Sequence, residues 1–365
     1  MVEIESKHIR CSSFTESGFK IGDTFVINQE ELFFIDDSVS TKSVSYFCSF
    51  KRKKSKVRRK YLALLPVRNN SELLKFTLSN LFSNNFLKYS DLMLIDDRSE
   101  EDIYSIVKEY NISYLKINND KGFNFSMLNN IGALIAKEMG YEWIMLWNSD
   151  LWIYKEKFLE EFINKHQSEE AVITGSKLLY PIESFTSGAS KNIKFHFSKW
   201  RKRKYRGTVQ FGGSKWVRTK KGAISLSPDH FGRFFNHKDK MVNCDKEEIF
   251  VTGALMIVNL NWFFNEGGLN PSLSKVFQDV DLCLRAKEKN QQIMYYGKDI
   301  HFFHDESLTF FSDNKNKKSD EQFYSDHLLF AKLWNKNIPL LVPKIKQTNK
   351  IIEKVKRKIK FKNNK

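Results

Sequence analysis

The sequence predicts an α/β fold with a mostly parallel, twisted sheet flanked by helices. Three observations lead to this prediction. From residue 61 onward, short apolar runs alternate with segments whose apolar residues recur at helical spacing. These helical segments are long enough to connect parallel strands by right-handed crossovers. Polar turns follow three of the apolar runs, and in such sheets ligands bind beyond the carboxyl ends of the strands.

The alternation begins with a strand at residues 61–65, which we expect to end at Pro66. The helix that follows is indicated by Leu73, Leu74, Leu78 and Leu81. Further strands are predicted at 92–95, 113–117, 142–147 and 171–174, and further helices from about residue 100, at about 124–139 and at 155–165. The polar turns occupy residues 66–69, 96–99 and 148–150. We expect these turns to lie along one rim of the sheet.

The regions before and after this alternation differ in character. The sequence of residues 1–50 predicts a separate extension that favours β-strands, with β-type runs at 24–27 and 32–35. A basic strip follows at 51–60. Residues 176–248 are less regular, whereas residues 249–259 predict one apolar strand with Gly253 inside it.

The tail at 344–365 has the spacing of a basic amphipathic helix, which is typical of membrane-surface binding. These patterns predict three regions. They are an extension with a basic linker at 1–57, a main domain at 58–308 with halves 58–175 and 176–308, and a helical C-terminal region at 309–365.

The net charge of +17 is the strongest compositional signal. It predicts an acidic partner such as nucleotide phosphates, anionic lipid, acidic glycan or nucleic acid. Hydrophobic residues make up 41% of the chain, which is enough for a core and argues against disorder throughout. The cysteines lack metal-ligand spacing and suit a reducing compartment; they are Cys11, Cys48, Cys244 and Cys283. With no visible secretory leader or membrane span, we expect a cytoplasmic location.

A basic, aromatic run at 195–221 contains Trp200, Tyr205 and Trp216. Such side chains could grip an acidic or lipid-linked glycan, remain a solvated loop, or stack on the bases of nucleic acid. We rank these three interpretations in that order.

Two acidic segments carry most of the chemical information. They are Trp147–Asp150, after an apolar run, and Gln278–Asp281, which opens a helical stretch. A carboxylate that binds a divalent metal and a second that acts as a base are what sugar transfer from a nucleotide-sugar requires. The diphosphate leaving group needs charge neutralisation, and the acceptor hydroxyl needs a group that takes its proton.

Several motifs occur in an order that resembles the family 2 glycosyltransferases of the GT-A fold, across roughly residues 60–308. They are Leu64-Leu65-Pro66-Val67-Arg68-Asn69, Ile95-Asp96-Asp97-Arg98-Ser99, Asn124-Phe125-Ser126 through Asn129-Asn130-Ile131-Gly132, Asn148-Ser149-Asp150, Val251-Thr252-Gly253-Ala254-Leu255, Gln278-Asp279-Val280-Asp281-Leu282-Cys283-Leu284-Arg285 and His304-Asp305-Glu306-Ser307. The most similar group is the bacterial rhamnosyltransferase-like one that builds surface polysaccharides.

The resemblance implies a Rossmann-like nucleotide-binding half, an acceptor half and a role for each matching residue. Asp279 is the implied general base of an inverting reaction, and Asp150 with His304 is the implied site for Mn²⁺ or Mg²⁺. The implied donor-binding residues are Pro66, Arg68, Asp96, Asp97, Lys121, Asn130 and Asn148. The implied acceptor-side residues are Gly253, Asp281 and Arg285.

Several of these residues also have a purely structural interpretation. Asp150 could cap the next helix, and Asp279 could stabilise a helix dipole. Asp96 and Asp97 could form a turn and cap with Ser99. His304 could be a satisfied semi-buried histidine. Arg68 and Lys121 could be solvated surface charges, and Asn130 could pack and cap locally.

The sequence departs from the family pattern at three positions: Asn148 replaces the first acid of Asp-x-Asp, Gln278 replaces a glutamate, and Arg98 replaces a small residue.

The expected activity is transfer of a sugar from a nucleoside-diphosphate-sugar to a surface glycan, with inversion. The partners are a glycan or lipid-linked glycan acceptor and an anionic membrane contacted peripherally on its inner face; no nucleic acid is expected. A nucleotidyltransferase is disfavoured because no Gly-rich signature with a following lysine lies near the first strand. Two further hypotheses are a catalytically silent transferase relative and a basic protein that binds nucleic acid or anionic lipid.

Overall fold

The computed structural model describes residues 2–3, 23–28, 45–51, 59–110, 112–118, 123–182, 205–219, 224–305, 317–342 and 347–349. The chain divides into two compact units. The first unit contains Met1–Ser149 and Ile257–Ser274, and the second contains Asp150–Met256 and Lys275–Lys365. The region boundaries proposed from the sequence stay predictions.

The first unit contains a sheet in the order β1-β2-β3-β6-β5-β4-β7. Its strands are β1 (Val2–Glu3), β2 (Asp23–Asn28), β3 (Ser45–Lys51), β4 (Tyr61–Val67), β5 (Asp91–Asp97), β6 (Ser113–Asn118) and β7 (Trp143–Trp147). Strands β4 to β7 pair in parallel, whereas β3 runs antiparallel to β2 and β6. The connecting helices are α1 (Ser71–Ser83), α2 (Ile103–Tyr110) and α3 (Phe125–Glu138), with a short 3₁₀ turn at Phe86–Lys88.

The second unit begins with β8 (Leu151–Ile153), α4 (Glu156–Gln167), β9 (Ile173–Ser176), β10 (Leu178–Leu179), β11 (Val209–Phe211), β12 (Ser214–Arg218), β13 (Leu226–His230) and β14 (Asp245–Glu247). Strand β15 (Leu255–Asn259) crosses the boundary into the first unit, where α5 (Leu260–Asn265) follows. The second unit resumes with α6 (Gln278–Glu288), β16 (Ile293–Tyr296), β17 (Phe302–His304), α7 (Lys317–Trp334), α8 (Ile338–Leu341) and β18 (Gln347–Asn349).

Three sets of paired strands organise the second unit. Strand β16 pairs in parallel with β9 and antiparallel with β14. A four-stranded sheet has the order β11-β10-β17-β8, and a three-stranded sheet has the order β13-β12-β18. Parallel and antiparallel pairs coexist in both units, so the predicted α/β class is confirmed and the sheet is mixed.

The central strands of the first unit are apolar because they are covered on both faces. Every residue of β4 and β5 is buried. Gly132 on α3 allows a close approach of helix and sheet, because a Cβ atom there would lie 2.6 Å from Ile95 Cδ1 and 3.1 Å from Leu64 Cδ2. This packing fixes the strand ends from which the polar turns extend.

Two predicted strands have different bounds. Pro66 does not end β4, which continues to Val67. The pairing of β4 with β7 stops at Leu64, so the missing N–H of Pro66 falls where that neighbour no longer pairs. The predicted strand at 249–259 begins only at Leu255, because a turn precedes it: Leu255 N–H donates to the carbonyl of Thr252.

The less regular stretch at 176–248 also contains more structure than predicted, since β10 to β14 lie in it. Trp216, suggested as a stacking surface, is fully buried against Phe250, with ring centroids 5.7 Å apart. In the tail, Gln347–Asn349 form a strand rather than the predicted helix and pair with β12. The run at 32–35, most of the basic strip, residues 195–204 including Trp200, and the rest of the tail lie outside the described residues.

Candidate functional site

Asp96, near the end of β5, is engaged by two groups of the fold. Its Oδ1 accepts a hydrogen bond from the N–H of Ser99 at 2.9 Å. Its Oδ2 accepts from the hydroxyl of Tyr114, on β6, at 2.6 Å. Burial raises the pKa of Tyr114 above its usual range, and the hydrogen bond to Asp96 acts in the same sense. The turn-and-cap interpretation of Asp96 is therefore present in the structure.

Asp97 pairs with Arg68 from the loop after β4. The carboxylate is completely buried, and its Oδ2 lies 3.6 Å from Arg68 Nη1. Arg68 keeps 31% of its side-chain exposure, so its guanidinium faces both the buried acid and solvent. A guanidinium in this position can compensate Asp97 and still offer donors to a phosphate or ribose.

The loops after β4 and β5 lock together by reciprocal hydrogen bonds. The N–H of Asn69 donates to Ser99 Oγ, and the N–H of Glu100 donates to Asn69 Oδ1, both at 2.8 Å. Glu101 accepts from the N–H groups of Asn70 and Ser71 at the start of α1. Asn69 and Asn70 both have positive φ, 57° and 65°, a conformation that Asn tolerates better than most residues. The rim around Arg68 is thus held rigidly.

The other predicted donor-binding residues divide among different environments. The side-chain amide of Asn130 makes two hydrogen bonds to the backbone of Leu269. Its Nδ2 donates to the Leu269 carbonyl at 2.7 Å, and its Oδ1 accepts from the Leu269 N–H at 2.9 Å. This geometry favours a packing role, although across 139 residues rather than locally. Pro66 is buried within β4, and Asn148 is half-buried after β7. Lys121 lies outside the described residues.

In the second unit, the small four-stranded sheet brings Asp150 and His304 together. Asp150 directly precedes β8, and His304 ends β17, where it pairs with Leu151. The N–H of Asp305 donates to the carbonyl of Asp150 at 3.0 Å. His304 Nε2 consequently lies 3.1 Å from Asp150 Oδ1, and both side chains are buried.

Gln210, on β11, determines which nitrogen of His304 carries a proton. Its Nε2 donates to the His304 carbonyl at 3.3 Å, so its Oε1 faces His304 Nδ1, at 2.8 Å. Because Oε1 can only accept, Nδ1 must donate, and the lone pair of a neutral imidazole Nε2 points toward Asp150. His304 Nε2 and Asp150 Oδ1 would then both be acceptors, only 3.1 Å apart. This arrangement requires either a second proton on the imidazole or a cation that both atoms bind.

Asp150 and His304 fit part of the ligand set of a divalent metal. They supply one carboxylate oxygen and one imidazole nitrogen, a combination better suited to Mn²⁺ than to Mg²⁺. Over the described residues, no group of three or more His, Cys, Asp or Glu side chains is placed to hold a metal. Phosphate oxygens and water, which such cations commonly keep as ligands, would complete the set.

Asp279 lies in the first turn of α6, and its carboxylate accepts two backbone hydrogen bonds. Oδ2 accepts from the N–H of Gly253 and Oδ1 from that of Val280, both at 2.8 Å. The residue keeps some exposure, yet the surrounding protein desolvates the carboxylate and raises its pKa, outweighing the N–H groups that lower it. A fixed carboxylate with raised proton affinity has the properties of a general base.

Asp281, two residues further, is engaged on both oxygens. Oδ1 accepts from Trp334 Nε1 at 2.9 Å. Oδ2 accepts from Arg285 Nε at 3.1 Å and lies 3.0 Å from Arg285 Nη2. The side chain is only 4% exposed. These contacts join α6 to α7, which favours a structural role for Asp281 and Arg285 over direct binding of an acceptor.

The structure thus brings several predicted residues into contact: Arg68 with Asp97, Asp150 with His304, Gly253 with Asp279, and Asp281 with Arg285. Sequence reasoning missed Tyr114, Gln210 and Trp334, which bond Asp96, His304 and Asp281, respectively. They lie 18, 94 and 53 residues from their partners. Nothing in the local sequence around them indicates these contacts.

Comparison with known protein families finds a match that covers part of this candidate site. The family model described as Glycosyl transferase family 2 matches residues 63–221. This segment includes the loops after β4 and β5, Asp150 and Gln210, and it ends before Asp279. The match and the mixed sheet flanked by helices agree with the GT-A type of α/β fold that the motifs imply. No curated protein matches the sequence.

Solved structures are similar to this chain at low identity. GalNAc-T7 with UDP, GalNAc and Mn²⁺ is 12% identical, with 67% of this chain and 42% of that chain covered and a TM-score of 0.48. The mannosyltransferase PcManGT from Pyrobaculum calidifontis, in complex with GDP-Man and Mn²⁺, is 11% identical (77% and 71% covered, TM-score 0.42). TarS 1–349 of S. aureus is 13% identical (76% and 73% covered, TM-score 0.42). The chain therefore spans less than half of the GalNAc-T7 chain.

Proposed function

We propose that this protein is a metal-dependent, inverting glycosyltransferase that moves a sugar from a nucleoside diphosphate to a glycan. One observation carries the proposal: the second unit places Asp150 and His304 3.1 Å apart, and Gln210 directs the His304 lone pair toward the carboxylate. Such a pair suits a metal that binds a diphosphate. The glycosyl transferase family 2 match includes Asp150, which supports this chemistry.

Asp150 and His304 would hold the metal, with Mn²⁺ favoured over Mg²⁺ because one ligand is a nitrogen. When bound, the metal supplies charge neutralisation for the departing diphosphate. In the first unit, Arg68 offers guanidinium donors to the nucleotide while Asp97 holds it in place. Pro66 and Asn148, at the ends of β4 and β7, contribute to the same donor-binding surface in this proposal, as does Lys121.

Asp279 acts as the base. Its carboxylate takes the proton of an acceptor hydroxyl as that oxygen bonds to the anomeric carbon of the sugar, and the bond from this carbon to the diphosphate oxygen breaks. Attack opposite to the leaving group inverts the configuration. The N–H groups of Gly253 and Val280 orient the carboxylate, and desolvation raises its pKa so that it accepts a proton more readily.

The acceptor we propose is a surface glycan of the lipopolysaccharide or capsule type, free or lipid-linked, and the donor sugar a hexose or deoxyhexose. The net charge of +17 supports an acidic acceptor and peripheral contact with an anionic membrane. We place the enzyme on the cytoplasmic face of that membrane. Among the described residues, no helix is both long and apolar enough to cross a bilayer.

The test is calorimetry or thermal shift with UDP-, dTDP-, GDP- and CMP-sugars, each with and without Mn²⁺. We expect one nucleotide class to bind in an Mn²⁺-dependent manner, and Asp150→Asn and His304→Asn to remove that dependence. Asp299→Asn is the matched control, because this acid is exposed and belongs to none of the proposed binding sites. Equal nucleotide affinity with and without Mn²⁺ in the wild type contradicts the metal assignment.

A catalytically silent relative is the second candidate, and Asn148 favours it because an amide replaces the first acid of the metal motif. Nucleotide binding without release of sugar from any of the four donor classes would support this second candidate. A salt-sensitive shift of plain DNA or RNA without any sugar-nucleotide response would instead support a nucleic-acid-binding protein.

A further inference from the structure

Helix α7 contacts the chain on both sides of Asp279. Three of its side chains, Asp326, Phe330 and Trp334, are spaced four residues apart and therefore lie on one face of the helix. All three are buried. We call them the α7 clamp. They lie beyond the segment matched by the family model.

Asp326 holds the chain just before α6. Its Oδ2 accepts from the N–H groups of Lys275 and Val276 at 2.8 and 3.1 Å. Its Oδ1 accepts from Gln322 Nε2, one helical turn earlier, at 3.0 Å. The carboxylate is completely buried, so these N–H donors are what satisfies its charge. The position of the 275–276 backbone is thereby tied to α7.

Phe330 packs against Phe277, the residue that follows Val276 in the chain. The two rings stack with centroids 4.5 Å apart and planes 28° apart, and His327 packs edge-on at 4.6 Å. Phe277 has φ of 69°, a left-handed conformation that a bulky residue adopts only when its surroundings impose it. This residue directly precedes α6, so its conformation sets the direction in which the helix starts.

Trp334 completes the clamp on the far side of Asp279. Its Nε1 donates to Asp281 Oδ1 at 2.9 Å, while Arg285 occupies the other oxygen of Asp281. Asp279 therefore lies between two anchored points, residues 275–277 and Asp281. Its own carboxylate bonds the N–H of Gly253 and of Val280.

We propose that the α7 clamp orients Asp279 for proton transfer, which makes Asp326, Phe330 and Trp334 positioning residues. This inference rests on the proposed function, in which Asp279 is the base. The clamp acts through the neighbours of Asp279 in the chain: loosening it frees the start of α6, and the bond from Gly253 N–H to Asp279 weakens. Because proton transfer requires close geometry, turnover falls while donor binding is retained.

The experiment compares Phe330→Leu and Trp334→Phe with the wild type, each as the 365-residue chain, by hydrogen–deuterium exchange. We expect exchange in peptides covering 250–256 and 275–285 to accelerate by about tenfold, with no change in peptides from β4 and β5. Leu328→Ala, at an exposed position of the same helix, is one control. Trp262→Phe is the other, because among the described residues its indole N–H has no hydrogen-bond partner. Unchanged exchange at 250–256 and 275–285 in both variants overturns the clamp.

Turnover separates this inference from the proposed function. Nucleotide release is measured with Mn²⁺ and each donor: a nucleoside diphosphate leaves UDP-, dTDP- and GDP-sugars, and CMP leaves CMP-sugars. In the clamp variants, kcat should fall by about tenfold while KM for the donor changes by less than about twofold. Loosened exchange with unchanged kcat overturns the positioning role. If the wild type neither binds nor turns over any of these donors, the proposed function fails, and the exchange result still decides whether α7 holds the Asp279 segment.

Discussion

Two pairs of closely spaced acids, one in each unit, are treated differently by the fold. In the first unit, Asp96 is occupied by Ser99 and Tyr114, whereas Asp97 faces the partly exposed Arg68. In the second unit, Asp281 is occupied by two side chains, whereas Asp279 bonds the backbone N–H groups of Gly253 and Val280 and keeps some exposure. In each pair, side chains or a nearby turn of the fold engage one acid on both oxygens, and the other acid is the one to which we assign a role in the proposed reaction.

The difference comes from the direction in which the backbone sends each side chain and from the groups it meets there. Asp96 and Asp97 are neighbours with the same side chain, yet the strand alternation sends them to different surroundings. Asp281 lies two residues after Asp279 and so points to another side of α6, toward α7. The two members of an acid pair therefore differ in their packing, which the sequence of the pair does not reveal.

The largest expected effect is at Asp279. Asp279→Asn keeps the shape of the side chain but removes its ability to accept a proton, so kcat should fall by about 10²–10⁴-fold with little change in donor affinity. The measurement is nucleoside diphosphate release alongside calorimetric binding of the donor. Undiminished turnover in this variant would exclude Asp279 as the base.

The pH dependence of the wild type gives a second test of the same residue. Burial raises the pKa of the Asp279 carboxyl above 3.8, its ordinary value. A base must be deprotonated to act, so kcat should decline on acidification at a higher pH than an unperturbed aspartate allows. A pH profile of kcat that is flat down to the usual range of aspartate would contradict the raised pKa.

Asp281→Ala should lower the free energy of unfolding by more than any single substitution at Asp96 or Asp97. It leaves the Trp334 indole N–H and the Arg285 guanidinium without their buried partner, at a cost of about 3 kcal/mol in the free energy of unfolding. Urea denaturation measures this difference. Asp279→Ala is the comparison, because the contacts it removes are those to the N–H groups of Gly253 and Val280. Equal losses in the two variants would contradict the distinction drawn between these acids.

Part of the fold and of the candidate site could be predicted from the sequence alone. The alternation of apolar runs and helical spacing predicted the α/β class and the strands β4 to β7 to within a few residues, because local patterning encodes them. It did not predict β10 to β14 or the turn at Gly253, since short strands in a glycine-containing stretch carry little periodicity. The acids were found, but Tyr114, Gln210 and Trp334 were not, because long-range partners leave no local signal.

A smaller effect is expected at Tyr114. Tyr114→Phe removes the hydroxyl that donates to Asp96 Oδ2, so a buried carboxylate oxygen loses a partner, and the free energy of unfolding should fall by about 1–2 kcal/mol. Nucleotide binding should be retained, because both oxygens of Asp96 are engaged by Ser99 and Tyr114 and we assign it a structural role. Thermal or urea unfolding, with calorimetry of the donor, measures both. Loss of nucleotide affinity with unchanged stability would give Asp96 the ligand role instead.

The smallest effect concerns the loop network beside Arg68. Glu101 is desolvated, which raises its pKa, but the hydrogen bonds from Ser71 and Asn70 outweigh this and lower it below 4.5, its ordinary value. A carboxylate with a lowered folded-state pKa stabilises the fold above its unfolded-state pKa and loses that contribution as the pH falls through the folded-state value. Glu101→Gln should therefore reduce the free energy of unfolding at pH 7 by less than about 0.5 kcal/mol, because the side chain is largely exposed and screened. The difference from the wild type should vanish on acidification below the folded-state pKa, and urea denaturation at several pH values measures it. A gap that persists at low pH would mean that the amide disrupts the capping geometry itself rather than the charge of Glu101.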